Sequence, residues 1–435
     1  MPEVGWVDRS IGDCLNTSFA GEWGSEPAPG NAIVLRATDI DNDGHVVGAG
    51  AIRSIPNSKL CAKRLHQGDI LLEGSGGGPD KPVGRVALFD ASAHSSPAVC
   101  SNFFKTLRPA PHVVHDRFLW RKLGWFYRQP ALLALQQQTT GIINLKFAEY
   151  LCVRISLPVD VAEQVKIAEV LDTLDTTIRQ TEAIIDKLKQ VKQGLLHDLL
   201  TRGIADNGEL RPPQSEAPHL YKESVLGWIP DDWCFGPIEQ FLDRIIDYRG
   251  KTPEKTERGI PLITARNVRL GYVDPEPREF ISEESFSRWM TRGIPKKGDV
   301  LFTTEAPLGN VGQIVTTERL AFAQRMIILQ AGVGLVDSFL KHTLLSQAFR
   351  RRLFAFGSGS TVEGIQQSTF RKIEICVPTS INEQALIVDR LNAFELRVEA
   401  ERQHLAKAHA VKAGLMDDLL TGRVRVTPLL AGASP

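Results

Sequence analysis

No run of apolar residues approaches the roughly 18 needed to cross a bilayer, so no transmembrane span is expected. The opening residues, MPEVGWVDRSIGDC, lack the basic start and apolar stretch of a secretory signal, and a cytoplasmic location is expected. Cysteine is sparse. Cys14, Cys61, Cys100, Cys152, Cys234 and Cys376 lie far apart with no Cys-x-x-Cys pair, which excludes a zinc ribbon and a dense disulfide frame. An excess of either charge is also missing: 51 basic residues balance 51 acidic ones, so any attraction to nucleic acid must come from segregated charge. Basic clusters occur at Arg249/Lys251, Arg266/Arg269, Lys296/Lys297 and Arg350/Arg351/Arg352.

Catalytic motifs are missing too. Arg249-Gly250-Lys251-Thr252 has Ile245 where a phosphate-binding loop needs its first glycine. Gly74-Ser75-Gly76-Gly77-Gly78-Pro79 does not have the spacing of a dinucleotide fingerprint and reads as a tight loop. Neither His112/His115 nor His404/His409 has the spacing of a helical metal pair, and Pro79-Asp80-Lys81 is too compressed for a metal-dependent nuclease site. The Asn-Pro-Pro-aromatic run of an amino-methyltransferase is absent. These absences favour recognition or scaffolding over catalysis, and metal ligands are expected to be none.

What is present is a repeat. Glu163–Thr201 and Glu383–Thr421 align without a gap at a shift of 220 residues. Both begin Glu-Gln and both end Val-Lys-x-Gly-Leu-x-x-Asp-Leu-Leu-Thr. A period this long exceeds the roughly 50 residues of a solenoid unit and points to two copies of a whole domain.

The shared segment has helical periodicity. Leu171, Leu174, Ile178, Thr181, Ile185, Leu188, Lys192, Leu195 and Leu199 are spaced by alternating threes and fours, as in a coiled-coil seam. Leu391, Phe394, Val398, Glu401, Leu405, Ala408, Lys412, Leu415 and Leu419 repeat it. Two such stripes most simply bury each other, through an interface of Leu171, Leu174, Ile178, Ile185 and Leu188 with Leu391, Phe394, Val398 and Leu405. The polar exceptions coincide: Thr181 with Glu401, and Lys192 with Lys412. The simpler reading puts both lysines at the seam's edge, stem on apolar surface and amine in water. The alternative is that polar seam positions fix register between the helices. Gly194 and Gly414 are expected to bend or end each helix early.

Weaker matches continue upstream in a common order. Ile155 and Pro158 match Ile375 and Pro378. Gly141-Ile142 and Phe147 match Gly364-Ile365 and Phe370. Val83–Val86 matches Val311–Ile314, Gly68–Leu71 matches Gly298–Leu301, and Val34-Leu35 with Ala37 match Leu262-Ile263 with Ala265. Drifting offsets are what surface-loop insertions produce. Short apolar runs at Asn31–Leu35, Asp69–Leu72, Pro261–Thr264, Asp299–Phe302 and Met326–Leu329 read as strands. Asp116–Leu123 and Asp337–Leu345 read as a recurring helix. The expected class is α+β: two mixed α/β units alternating with two long helices that pair as an antiparallel coiled coil, with an internal pseudo-twofold repeat. Boundaries fall at 1–158, helix 159–203, linker 204–220 with Pro212, Pro213 and Pro218, second unit 221–379, and helix 380–426.

This pattern resembles the specificity subunit of type I restriction–modification systems. The residues that carry the resemblance are Pro158…Glu163-Gln164 and Pro378…Glu383-Gln384 entering each helix and Leu-Leu-Thr closing it. Others are Gly227-Trp228-Ile229-Pro230-Asp231-Asp232-Trp233, Gly250-Lys251-Thr252-Pro253…Gly259-Ile260-Pro261-Leu262-Ile263, Thr303–Gly312 and Gly357–Gln367. The first unit shows no counterpart of the Gly-Trp-Ile-Pro segment.

The resemblance implies a non-catalytic DNA reader, each unit a target recognition domain for one half of a split double-stranded site. It implies docking of two methyltransferase subunits on the helices and of restriction subunits through them, with no membrane partner. S-adenosylmethionine, ATP and Mg²⁺ would bind those partners and none would bind this chain. A stiff helix pair holds two readers at a set separation where a flexible tether would not. Base reading needs polar side chains on loops. The candidates are Arg36, Thr38, Asp39, Thr139, Thr140 and Asn144 in the first unit. In the second they are Arg249, Lys251, Thr252, Arg266, Asn267, Thr303, Thr304, Gln324, Arg325, Gln366 and Gln367. Two other readings stay open: an adaptor whose helices bridge proteins without touching DNA, and a nuclease with an unrecognised site.

Overall fold

The computed structural model describes residues 5–26, 30–77, 81–139, 141–248, 253–357 and 364–431. The chain forms two compact units, residues 1–182 with 403–435, and residues 183–402. The long helices are Val161–Thr201 and Ile381–Thr421, and each gives one half to each unit. The first unit holds the start of the first helix and the end of the second; the other unit holds the remaining halves. Within each unit the two therefore run antiparallel.

The early helix end expected at Gly194 and Gly414 does not occur. Both helices run on to their Leu-Leu-Thr, and a Cβ at either glycine would meet nothing within 4 Å. A mid-helix glycine costs only ~1 kcal/mol. Burying the leucines that follow it, Leu199 and Leu419 among them, outweighs that.

In the first unit, strand Trp6–Ser10 pairs antiparallel with Arg154–Pro158. A four-stranded antiparallel sheet has the order Leu15–Ala20, Phe104–Pro109, Ile70–Glu73, Val86–Leu88. A three-stranded sheet runs Ala51–Arg53, Ala32–Leu35, Ala98–Cys100, the last pair parallel. The second unit repeats all three. Trp233–Pro237 pairs with Glu374–Pro378. The four strands are Leu242–Asp247, Met326–Ala331, Val300–Thr303 and Val311–Gln313. The three are Phe280–Ile281, Ile260–Ile263 and Ala321–Phe322, again with a parallel last pair. Ile70–Glu73 and Val300–Thr303 are buried along their whole length, as strands covered on both faces must be. The helices Asp116–Tyr127 and Asp337–Leu345 close the matching cores.

Strand pairing corrects the alignment at two points. Val86 lies opposite Leu72 and Val311 lies opposite Phe302, so the partner of Val311 is Val86 and not Val83. The segments between the paired strands, 74–85 and 304–310, differ in length by five residues, and a short Val-Gly match cannot register that. Phe370, fully buried, corresponds to buried Tyr150 and not to Phe147. Tyr150 N donates to Lys146 O as Phe370 N donates to Gln366 O, both at 2.9 Å, one turn ahead of the matched strands.

The tryptophan that anchors each core repeats as well. Gly227–Pro230 forms a hairpin with Tyr221–Ser224. The tryptophan after it, Trp233, does have a first-unit equivalent. Trp6 packs edge-on against Phe118 as Trp233 does against Phe339, both with ring centroids 6.4 Å apart. The presumed linker is packed into the second unit, with Ile204, Arg211 and Ala217 buried and a bridge between Ile204 and Leu210.

Candidate functional site

Glu-Gln at the head of each long helix forms a joint that locks the helix to its own unit. Gln164 Oε1 accepts from His115 N (2.7 Å), and its Nε2 donates to Pro158 O (2.8 Å) and Val113 O (3.2 Å). Gln384 does the same with Val336 N, Pro378 O and Gly334 O, each at 2.8 Å. A buried amide with both ends satisfied fixes the angle at which helix leaves strand.

The adjacent glutamates bind the segment that follows the other helix. Glu163, 1% exposed, takes a two-pronged bond from Arg425, with Nε and Nη2 both at 2.7 Å. Glu383 accepts from Ile204 N (2.8 Å), Trp233 Nε1 (3.2 Å) and the Arg211 guanidinium. Gly422 and Gly203, just past the helix ends, have φ of +84° and +66° and lie against Trp6 and Trp233. A side chain there would meet the indole and would strain the backbone. The clamp arginines were not found in the sequence, since they sit at unequal distances beyond Leu-Leu-Thr.

Between the helices, the seam lysines pair across. Lys192 Nζ reaches Glu395 Oε1 at 2.7 Å, and Lys412 Nζ reaches Asp175 Oδ1 at 2.6 Å. Asp175 and Glu395 are themselves 220 residues apart. Lys412 is buried against Asp175, so the reading that leaves its amine in water is overturned there. Arg121 bonds the same Asp175 and also Asp172, at 2.7 Å to Oδ1. Burial pushes the Asp175 carboxyl up, but Arg121 and Lys412 pull it further down, below the ordinary carboxylate value. In the second unit His342 holds the place of Arg121 and meets Asn392 (3.4 Å) where the first unit has Asp172. Lys341 adds a second cation 3.7 Å from Glu395. Burial, then Lys341, push the His342 imidazole down to about 4. Of the proposed helix interface, Leu171, Ile178, Ile185, Leu188, Leu391 and Val398 are buried, while Leu174, Phe394 and Leu405 are half-buried.

Farther from the helices lie the loops. Arg249, Lys251, Thr252, Thr140 and the side chain of Thr139 fall outside the described residues. The other candidates divide into two sets. In one, the side chains are withdrawn from the surface or bonded within the fold. Buried Asp39 accepts from Arg36 N (2.8 Å) and Arg36 Nε (2.9 Å). Buried Asn267, at the matching place, accepts from Thr264 N (2.9 Å) and Oγ1 (2.8 Å) and donates to Asp274 O (3.0 Å) and Pro277 O (3.1 Å). Buried Thr303 donates to Pro307 O (2.5 Å) and accepts from Asn310 N (2.8 Å); Thr304 is buried beside it. Half-buried Asn144 accepts from Ser75 Oγ at 2.6 Å. Gln367 is half-buried in a short helix, Gln367–Phe370.

In the other set, Arg36, Thr38, Arg266, Arg325 and Gln366 are exposed, and Gln324 is half-buried. The structure brings Thr304, Arg325 and the segment leading to Gln366 into one cluster. Thr304 N donates to Arg325 O (3.0 Å), and Ile365 N donates to Thr304 O (2.9 Å). Such loops suit hydrogen-bonding recognition of a polar surface. Among the described residues, no helix is long and apolar enough to cross a membrane.

Residues 3–190 and 240–409 match the family model described as type I restriction modification DNA specificity domain. The MjaVIII specificity subunit of Methanocaldococcus jannaschii is 24% identical over 339 residues, covering 76% of this chain and 75% of the relative. The putative MjaX specificity subunit of the same organism is 22% identical over 430 residues, covering 97% and 94%. Of solved structures, a chain from a study of complex assembly and conformational transition of the type I R-M system has a TM-score of 0.60. It is 16% identical, with coverage of 98% and 100%. The S subunit of a type I system from M. genitalium has a TM-score of 0.53 at 14% identity, covering 95% and 96%.

Proposed function

From the premise that this chain belongs to the type I restriction–modification DNA specificity family and supplies DNA sequence specificity, we propose that each unit reads one half of a bipartite duplex target. The observation that carries this is the repeat itself. The same strand order, the same helix joints and the same cross-helix pairs recur, while the exposed loop residues do not. A shared frame with unlike loops is what two readers of unlike sequences require.

The reading regions are residues 1–158 and 221–379, and the helices 159–203 and 380–426 are the spacer. Exposed Arg36, Thr38, Arg266, Arg325 and Gln366 reach the duplex, together with Gln324, Arg249, Lys251 and Thr252. Asn144 and Gln367 border these loops, and Thr139 and Thr140 remain candidates by residue type. Asp39, Asn267, Thr303 and Thr304 shape the loops from beneath. The chain performs no chemistry of its own. Two methyltransferase subunits dock on the helices, restriction subunits join through them, and these partners hold S-adenosylmethionine, ATP and Mg²⁺. The complex works in the cytoplasm.

The test is a genome-wide map of methylated adenine in cells carrying the partner subunits with and without this chain. A two-part motif that is present only with the chain is expected. Methylation that does not depend on the chain, or that shows no sequence preference, would sink the reading. It would return the chain to the class of adaptors.

A further inference from the structure

Two described non-glycine residues have left-handed backbone, and both lie in the second unit's loop cluster: Ala306 at φ 45° and Arg325 at φ 74°. Ala306 has a topological reason. Its equivalent in the first unit, two residues past the hydrogen bond that ends the central strand, is Gly76 at φ +103°. The backbone there has positive φ in both units, and the second unit adopts it without glycine.

Arg325 has no such reason. Its first-unit equivalent is fixed by the ladder. Thr304 N donates to Arg325 O (3.0 Å) as Gly74 N donates to Phe103 O (2.8 Å), and Thr303 faces Met326 as Glu73 faces Phe104. Phe103 reaches the same place without a positive φ. The fold therefore does not require strain at this position, and where strain is kept glycine would relieve it. A strained residue that the topology does not demand is a candidate for function.

The side chains agree. Arg325 is 54% exposed, and its partner, Glu305 at 3.3 Å, is itself 44% exposed. A surface pair of this kind is easily exchanged for another partner. Phe103 is 49% exposed, although its ring lies against Gly76 of the strand Ser75–Gly77. About half of the ring therefore faces solvent and is open to a partner.

Building on the reading of the chain as a DNA specificity subunit, we propose that this shared loop position is a specificity-determining base contact in both units. Arg325 presents paired donors to the O6 and N7 of a guanine in one half-site. Phe103 presents an apolar face to a thymine methyl in the other. Both are major-groove contacts that distinguish one base pair from the rest. Glu305 holds the guanidinium until the base replaces it.

The experiment uses the full chain in complex with its methyltransferase subunits, given a duplex library randomised across the target, with methylated products sequenced. With Arg325→Ala, discrimination at one G·C position in one half-site is expected to fall about tenfold or more, the other half unchanged. With Phe103→Ala, one T·A position in the opposite half is expected to relax, by a smaller factor. Arg325→Gly keeps the left-handed turn without strain. It is expected to relax the same position as Arg325→Ala while melting no lower than the parent, which separates reading from folding. Arg325→Lys keeps charge but loses the fork, and should relax that position as well. A wild-type complex without sequence preference would defeat the specificity reading. A wild-type complex that reads two halves, with all four variants retaining its motif at full discrimination, would overturn this inference alone, as would relaxation of both variants in the same half.

Discussion

The two units solve one problem with different charges. Each must hold the start of one long helix against the end of the other, and each uses a seam lysine facing a carboxylate. In the first unit the contact is sealed: Lys412, Asp175 and Arg121 have side chains 9%, 5% and 4% exposed. In the second it is open: Lys192 and Glu395 are 25% and 33% exposed. A buried pair depends on each member to neutralise the others, whereas an exposed pair has water in reserve. The same contact, copied by duplication, therefore differs in energetic weight between the copies.

The sharpest way to break that comparison is to remove the acid from each. Asp175→Ala leaves Arg121 and Lys412 buried without their shared partner. It is expected to destabilise by about 3–5 kcal/mol. Glu395→Ala at the equivalent site is expected to cost less, about 1–2 kcal/mol, because Lys192 can turn to solvent and only Lys341, 9% exposed, is left buried without its acid. Denaturant unfolding of the two variants checks this, and equal losses would mean that the difference in burial has no energetic consequence.

Acid should separate the units as well. His342 is held below its ordinary value of 6.5, so the unfolded chain binds the proton more readily. The stabilising contribution is complete above pH 6.5 and is lost as pH falls through about 4. The Asp175 carboxyl, held below 3.8, contributes fully above that value and loses its share only at lower pH. His342→Gln is expected to flatten the stability profile between pH 6.5 and 4, an effect of about 1–3 kcal/mol across the window. Asp175→Asn should leave that slope intact. The reverse pattern in acid titrations of unfolding would place the imidazole in a different environment.

The smallest effect concerns a feature the units share. Gly194→Ala and Gly414→Ala place a methyl in open space in a continuous helix. Each is expected to stabilise by about 0.5–1 kcal/mol. Thermal unfolding measures it, and destabilisation by either would show that the glycine serves a contact or a bend.

The sequence was most legible where duplication had left identical residues. Glu163-Gln164 and Glu383-Gln384 marked the joints, and the three-and-four spacing marked the seam, because both depend on local periodicity. Similar rather than identical residues were harder to see. Asp175 and Glu395 lie 220 apart, yet their significance emerges only once the lysines are seen to face them. Arg211 and Arg425 follow their helices at different distances, so no alignment pairs them; the geometry at Glu383 and Glu163 does. Loop candidates were chosen by residue type. That criterion cannot tell Asn267, whose amide holds its own loop together, from Arg266 beside it, which faces solvent. Phe103 escaped notice because an aromatic residue reads as core until its exposure is known.

Specificity residing in the unlike parts of a duplicated frame is tested most directly by exchanging those parts. Residues 238–373 form a natural cassette, since Ile238 N bonds Ile373 O at 2.9 Å and the strands, clamps and helices outside it stay in place. Replacing the cassette with its counterpart from another family member, and sequencing the adenines then methylated, is expected to change one half of the target and preserve the other. A change in both halves, or in neither, would contradict the account.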